Sequence, residues 1–155
     1  MKIISLSPAH TIRIGSLLAS HLRRGSIVCL FGELGSGKTM LTKGIAKGVG
    51  IDPTGIISPT FVLVRQYQGK VPLYHFDLYR MEKVKDIADL GYEEFFYGDG
   101  ITVIEWADRL KGILPEEYLK IELLVVSEKI RQLCLQGIGK EYQGCITKLN
   151  ENSRY

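Results

Sequence analysis

Eight consecutive residues hold the most chemical information in this chain: Gly32-Glu33-Leu34-Gly35-Ser36-Gly37-Lys38-Thr39 match the GxxxxGK[ST] pattern in full. Phosphate oxygens are bound by backbone N–H groups converging from a tight glycine turn and by the positive end of a helix. Lys38 adds a point charge between the outer phosphates, and Thr39 offers a hydroxyl to Mg2+. A turn that only joins a strand to a helix accounts for the glycines but not for Lys38-Thr39. The pattern points to nucleotide binding.

Mg2+ prefers oxygen ligands, so a P-loop needs an acid facing it. Two acids stand where apolar strand residues give way to polar ones: Glu105 after Ile101-Thr102-Val103-Ile104, and Asp77 after Leu73-Tyr74-His75-Phe76. Spacing does not rank them. One would ligate the metal, directly or through water, and the other would orient an attacking water; the competing reading of each is a surface acid at a strand exit. Ser58-Pro59-Thr60 lies in a loop that could carry Thr60 toward a γ-phosphate, although its pattern alone is that of a simple turn. His75, alone in an apolar strand, reads as a core histidine rather than a catalyst. Arg80 fits charge stabilisation on phosphate, a partner contact or plain surface, and Trp106 fits stacking on a base or RNA as well as half-buried packing. The run Glu82-Lys83-Val84-Lys85-Asp86 reads as a solvated helix face.

Elements must position these groups. Apolar spacing predicts a helix over 7–24 starting at Ser7-Pro8, and a doubly buried strand over 26–31 leading into the glycine turn. A helix over 38–49 follows the turn and closes at Gly50. Segments 61–67 and 71–77, rich in β-branched and aromatic residues, read as a hairpin around Gln68-Gly69-Lys70. Next come a helix over 83–97 broken near Gly91, a buried strand over 101–104, strands over 118–126 and 129–136, a weaker strand over 141–149, and a frayed polar tail from Asn150. This is an α/β pattern, read as one domain over residues 1–155, since no repeat or linker divides it.

The composition sets outer bounds. A chain of 155 residues, 45% apolar and 24% charged, has the length for a real core. No apolar run reaches membrane-spanning length, and the start Met1-Lys2-Ile3-Ile4-Ser5 is not that of a secretory signal, so a cytoplasmic protein without membrane attachment is expected. The net charge of +3 is too mild to announce a nucleic-acid partner. Cys29, Cys134 and Cys145, odd in number and widely spaced, read as reduced thiols rather than a disulfide framework or zinc site.

Taken in order, the P-loop, Ser58-Pro59-Thr60-Phe61, His75-Phe76-Asp77-Leu78-Tyr79-Arg80 and Ile104-Glu105-Trp106 resemble the TsaE (YjeE) ATPases of bacterial tRNA modification, over about residues 11–114. The resemblance implies a P-loop NTPase-like three-layer α/β fold: a mixed sheet, a β-hairpin insertion and a strand-rich C-terminal part. It implies a Mg2+-dependent ATPase, slow alone, that supports repeated formation of threonylcarbamoyladenosine beside the anticodon of tRNAs reading codons that begin with A. The partners implied are TsaD, which holds the transfer chemistry, and TsaB, with tRNA met only through their complex. Carried onto this sequence, Gly35, Ser36, Gly37, Lys38 and Thr39 would hold the phosphates of ATP, Thr39 and Glu105 would hold Mg2+, and Asp77 would assist hydrolysis. Thr11 matches a position near adenine, and Arg131 is placed near the nucleotide through a looser C-terminal match. The missing guanine-reading NKxD motif favours ATP over GTP. Two other classes stand beside this reading: a small P-loop kinase, whose arginine-bearing lid helix the sequence lacks, and a nucleotide-dependent switch without useful hydrolysis.

Overall fold

The computed structural model describes residues 1–59 and 62–152. In chain order the elements are β1 (Lys2–Ser5), α1 (Pro8–Ala19), β2 (Ile27–Phe31), α2 (Lys38–Gly48), β3 (Val64–Tyr67), β4 (Leu73–Asp77), α3 (Val84–Asp89), α4 (Glu93–Phe96), β5 (Ile101–Glu105), β6 (Tyr118–Val125), β7 (Arg131–Ile138) and α5 (Lys140–Glu151). The strands form a single seven-stranded sheet in the order β1-β7-β6-β2-β5-β4-β3. β6, β2, β5 and β4 run parallel at its centre, whereas β1, β7 and β3 pair antiparallel toward the edges.

Alternation along the central strands sorts their side chains between two cores. Val28 and Leu30 of β2, with Leu73, Ile101 and Val103, pack under α1 and α2 in a cluster that also takes in Tyr142 and Leu149 of α5. Ile27, Cys29, Phe76 and Ile104 face the other way, against Ile87 of α3 and Phe96 of α4. Helices therefore cover both faces of the mixed sheet, as expected of this α/β class. Burial pushes the Cys29 thiol up, and Cys29 and Cys145 are both free and buried. No helix among the described residues is long and apolar enough to cross a membrane.

Local chemistry explains most of the boundaries. Ser7 caps α1 by accepting the His10 N–H at 3.1 Å, with Pro8 in the first turn. The expected hairpin is the β3–β4 pair, with Tyr67 opposite Leu73. The helix expected over 83–97 is two short helices, separated where Gly91 takes φ +74°.

Two expectations need correction. The strand expected over 141–149 is replaced by α5, which runs through Asn150 to Glu151, the first residues of the expected frayed tail, while residues 153–155 lie outside the described residues. Its buried Tyr142, Cys145 and Leu149 follow helical spacing and close over the first core. The tyrosine hydroxyl accepts the Ile27 N–H at 2.8 Å, which ties α5 to the start of β2. The second correction is β1, an edge strand absent from the sequence reading; four residues are too few to establish an alternation, and pairing with β7 is what fixes it.

α1 and α2 cross in backbone contact. A Cβ on Gly44 would lie 2.2 Å from the Ile12 carbonyl oxygen, and one on Gly15 would lie 2.5 Å from that of Leu41. Gly144 of α5, by contrast, has nothing within 4 Å of an added Cβ among the described residues. Gly44→Ala should therefore destabilise the protein by about 2 kcal/mol or more through overpacking. Gly144→Ala should stabilise it by about 0.5–1 kcal/mol through helix propensity. Denaturant unfolding of the two variants beside the parent checks the opposite signs.

Candidate nucleotide site

β2 delivers the chain to Gly32, which takes φ +147° with a would-be Cβ 2.6 Å from the Leu123 carbonyl oxygen. The turn ends at Gly37, φ +100°, the N-cap of α2, where no side chain caps the helix. The first amides of α2 thus stay available to an anion at the positive end of the helix dipole. They open on a cavity of about 650 Å³ lined by Gly35 through Thr39, Asp77 and Glu105.

Lys38 is buried. Its ammonium donates to the carbonyl oxygens of Gly32 at 2.6 Å and Glu33 at 2.9 Å, and to Ser36 Oγ at 3.3 Å. It also lies 4.0 Å from the centroid of the Trp106 ring. Burial pulls the Lys38 pKa down, against the opposing pull of the negative charges of Glu105, Asp77 and Asp108. The loop's own carbonyls thus occupy the ammonium where phosphate oxygens would replace them. Trp106 is half-buried, packed between Lys38 and Tyr79, and its backbone is left-handed at φ 59° and ψ 43°. Among the described residues it is the only non-glycine with positive φ. Arg80 is exposed and lines the same cavity.

The two acids sit side by side, because β4 and β5 pair with Asp77 opposite Glu105. Their surroundings distinguish them. Glu105 is 2% exposed. Its Oε2 accepts from Thr39 Oγ1 at 3.1 Å, and its Oε1 accepts from His75 Nε2 at 2.9 Å and Thr42 Oγ1 at 3.1 Å. Asp77 is less enclosed, and its Oδ1 accepts the Tyr79 N–H at 3.0 Å. Burial raises the Asp77 pKa and the Glu105 charge adds to that, while the Tyr79 amide, His75 and Ser58 oppose it.

This donor set suits Mg2+. Among the described residues no three His, Cys, Asp or Glu side chains gather as a metal cage. A threonine hydroxyl and one carboxylate oxygen 3.1 Å apart at a phosphate-binding turn are what a small hard cation uses when phosphates and waters complete its shell. Thr39 and Glu105 would hold it, and the bound cation would neutralise charge on the outer phosphates.

Thr11 and Arg131 reach the same cavity. Thr11 is 2% exposed, and its hydroxyl lies 2.7 Å from Ser5 Oγ. Arg131 acts on the loop itself: it donates to the carbonyl oxygens of Gly35 at 3.0 Å and Ser36 at 3.2 Å, and to those of Ser127, Glu128 and Ile130 in the β6–β7 turn. Most of its N–H groups are therefore engaged in clamping that turn to the P-loop. Thr60 and Phe61 lie outside the described residues. Their neighbour Ser58 places Oγ 3.2 Å from Thr39 Oγ1.

Two members of the site escaped the sequence reading, Thr42 and the polar role of His75. The signals were present: Thr42 follows Lys38 by one helical turn, and His75 precedes Asp77 by two along a strand. His75 is fully buried, as a core histidine would be, yet its Nδ1 has no hydrogen-bond partner among the described residues.

Comparison with known proteins places this geometry. The family model described as "Threonylcarbamoyl adenosine biosynthesis protein TsaE" matches residues 5–133. The "tRNA threonylcarbamoyladenosine biosynthesis protein TsaE" of Bacillus subtilis (strain 168) is 37% identical over 154 residues, covering 98% of this chain and 95% of that protein. The protein of the same name from Treponema pallidum (strain Nichols) is 41% identical over 133 residues, 86% of this chain and 98% of its own. A solved structure, "Crystal structure of Bacillus subtilus YdiB", superposes with a TM-score of 0.81 at 33% identity, covering 97% of this chain and 94% of that one. On the extent of the family match and the near full-length relatives, the chain belongs to the TsaE family of threonylcarbamoyl adenosine biosynthesis proteins.

Proposed function

We propose that this chain is a Mg2+-dependent ATP hydrolase whose cycle allows a TsaB–TsaD complex to form threonylcarbamoyladenosine repeatedly, beside the anticodon of tRNAs reading A-starting codons. The observation that carries the reading is the pairing of Thr39 Oγ1 with Glu105 Oε2 at 3.1 Å, at the mouth of an uncapped P-loop helix. In this reading Gly35 to Thr39 hold the phosphates, Thr39 and Glu105 hold Mg2+, and Lys38 leaves its loop carbonyls for the outer phosphates. Asp77, beside Glu105 but less constrained, orients the attacking water, while Thr11 borders the base and Arg131 braces the loop. The relatives' printed names supply the tRNA modification, and the resemblance to the family supplies the partners.

The protein alone turns over slowly, because a site completed by a partner is organised only on binding. The reading takes the described chain as one ATPase unit that works in the cytoplasm and meets tRNA through its partners.

The test is threonylcarbamoyladenosine formation on tRNA by the partner proteins over many turnovers, with the parent, without it, and with Lys38→Ala. Modification should pass one round only with the parent; equal progress in all three arms overturns the role.

Asp77→Asn separates an ATPase from a switch. It should keep nucleotide affinity within about twofold while hydrolysis falls by about 10²-fold or more, and modification should stall after one round. Sustained modification by a variant that binds but does not hydrolyse would support the switch instead.

A further inference from the structure

We infer that His75 is a positioning residue: it holds Glu105 Oε1 so that Oε2 is presented to Thr39 and to the metal at the phosphate end of the cavity. The inference rests on the Mg2+-nucleotide reading of the site and goes beyond it, because His75 touches neither nucleotide nor metal in that reading.

The argument begins with strand parity. Leu73, His75 and Asp77 lie on the face of β4 covered by α2, as do Ile101, Val103 and Glu105 of β5. Every apolar neighbour on that face is satisfied by packing alone. His75, at 0% exposed, is not: its Nδ1 has no partner among the described residues, and a buried polar atom without one destabilises the fold. An apolar residue would avoid that cost. What the imidazole provides is an Nε2–H on Glu105 Oε1, at 2.9 Å.

The other donor to Oε1 is divided. Thr42 has one hydroxyl proton, and its Oγ1 lies 2.9 Å from the Lys38 carbonyl oxygen and 3.1 Å from Glu105 Oε1. A helical threonine readily returns its proton to the carbonyl one turn back. His75 is then the donor fully assigned to Oε1. Without it, a nearly buried carboxylate could turn to share its single remaining committed donor, Thr39, between both oxygens. The threonine and the carboxylate would no longer be set for a cation between them.

Glutamine and asparagine distinguish a donor from mere bulk. The amide nitrogen of glutamine reaches about where Nε2 stands, and that of asparagine only to about where Nδ1 stands. The experiment measures binding of a fluorescent ATP analogue to the full chain across a Mg2+ series and in EDTA, for the parent, His75→Gln, His75→Asn and His75→Leu. Thermal melting of each variant reports folding. Asparagine and leucine should raise the Mg2+ concentration at half-saturation by about tenfold, in line with loss of a hydrogen bond to a charged group. Glutamine should stay within about twofold of the parent, and affinity in EDTA should be the same for all.

Unchanged Mg2+ dependence in folded His75→Asn overturns the inference, as does glutamine failing as badly as asparagine. If His75→Leu does not fold, the glutamine–asparagine pair still decides. A parent that binds nucleotide without any Mg2+ dependence brings down the functional reading and this inference together. A Mg2+-dependent parent with unmoved variants brings down the inference alone.

Discussion

A carboxylate withdrawn from water at the end of a central strand constrains nearly everything around it. Taking a carboxylate out of water costs several kcal/mol unless protein donors replace the solvent. Among the described residues Glu105 has no arginine or lysine ion pair; its donors are the hydroxyls of Thr39 and Thr42 and the imidazole of His75. Two of these come from α2 and one from β4, so satisfying a single side chain fixes the P-loop helix against two neighbouring strands. The parallel pairing of β4 with β5 then sets Asp77 beside Glu105 without further instruction. α1 follows, since Gly15 and Gly44 allow it to lie directly on α2 and bring Thr11 to the cavity wall.

The opposite wall is fixed by a different kind of contact. Among the described residues no carboxylate pairs with Arg131; carbonyl oxygens of the P-loop and of the β6–β7 turn take up its guanidinium together. A planar group with several donors can bind two backbone segments at once, which a lysine at the same position could not do. The position expected to approach the nucleotide does line the cavity, but its visible work is on the backbone that forms the cradle.

What could be read in the sequence follows from the range of each signal. The P-loop, the hairpin and the two acids at strand exits are local patterns, and they stand where expected. The assignment of α5 as a strand shows propensity competing with periodicity. Tyr142, Cys145, Ile146 and Thr147 are common in strands, yet Tyr142, Cys145, Ile146 and Leu149 fall at the 0, 3, 4, 7 spacing of a helix face. Packing on the first core decides the matter. β1 had no local signal of comparable strength, and its identity comes from β7. The relation of His75 to Glu105 joins residues 30 apart and depends on strand register, which no single segment states.

The departures from local rules are unevenly distributed. α1 has a serine cap and Asp52 caps the short turn that follows it, whereas α2, like α4 and α5, has no side-chain cap, and its bare N-terminus faces the cavity. Trp106 takes a left-handed backbone that a residue without glycine's freedom rarely adopts, Lys38 is buried among carbonyls, and His75 keeps a nitrogen without a partner among the described residues. All four surround the carboxyl ends of the parallel strands β2, β4 and β5, where an open α/β sheet binds its ligands. Bare amides would gain an acceptor from a phosphate, and a caged ammonium would exchange carbonyls for charged oxygens. The gathering of a buried ammonium, a left-handed tryptophan and a buried imidazole at one end of the sheet marks that end as the place for a ligand, independently of any motif.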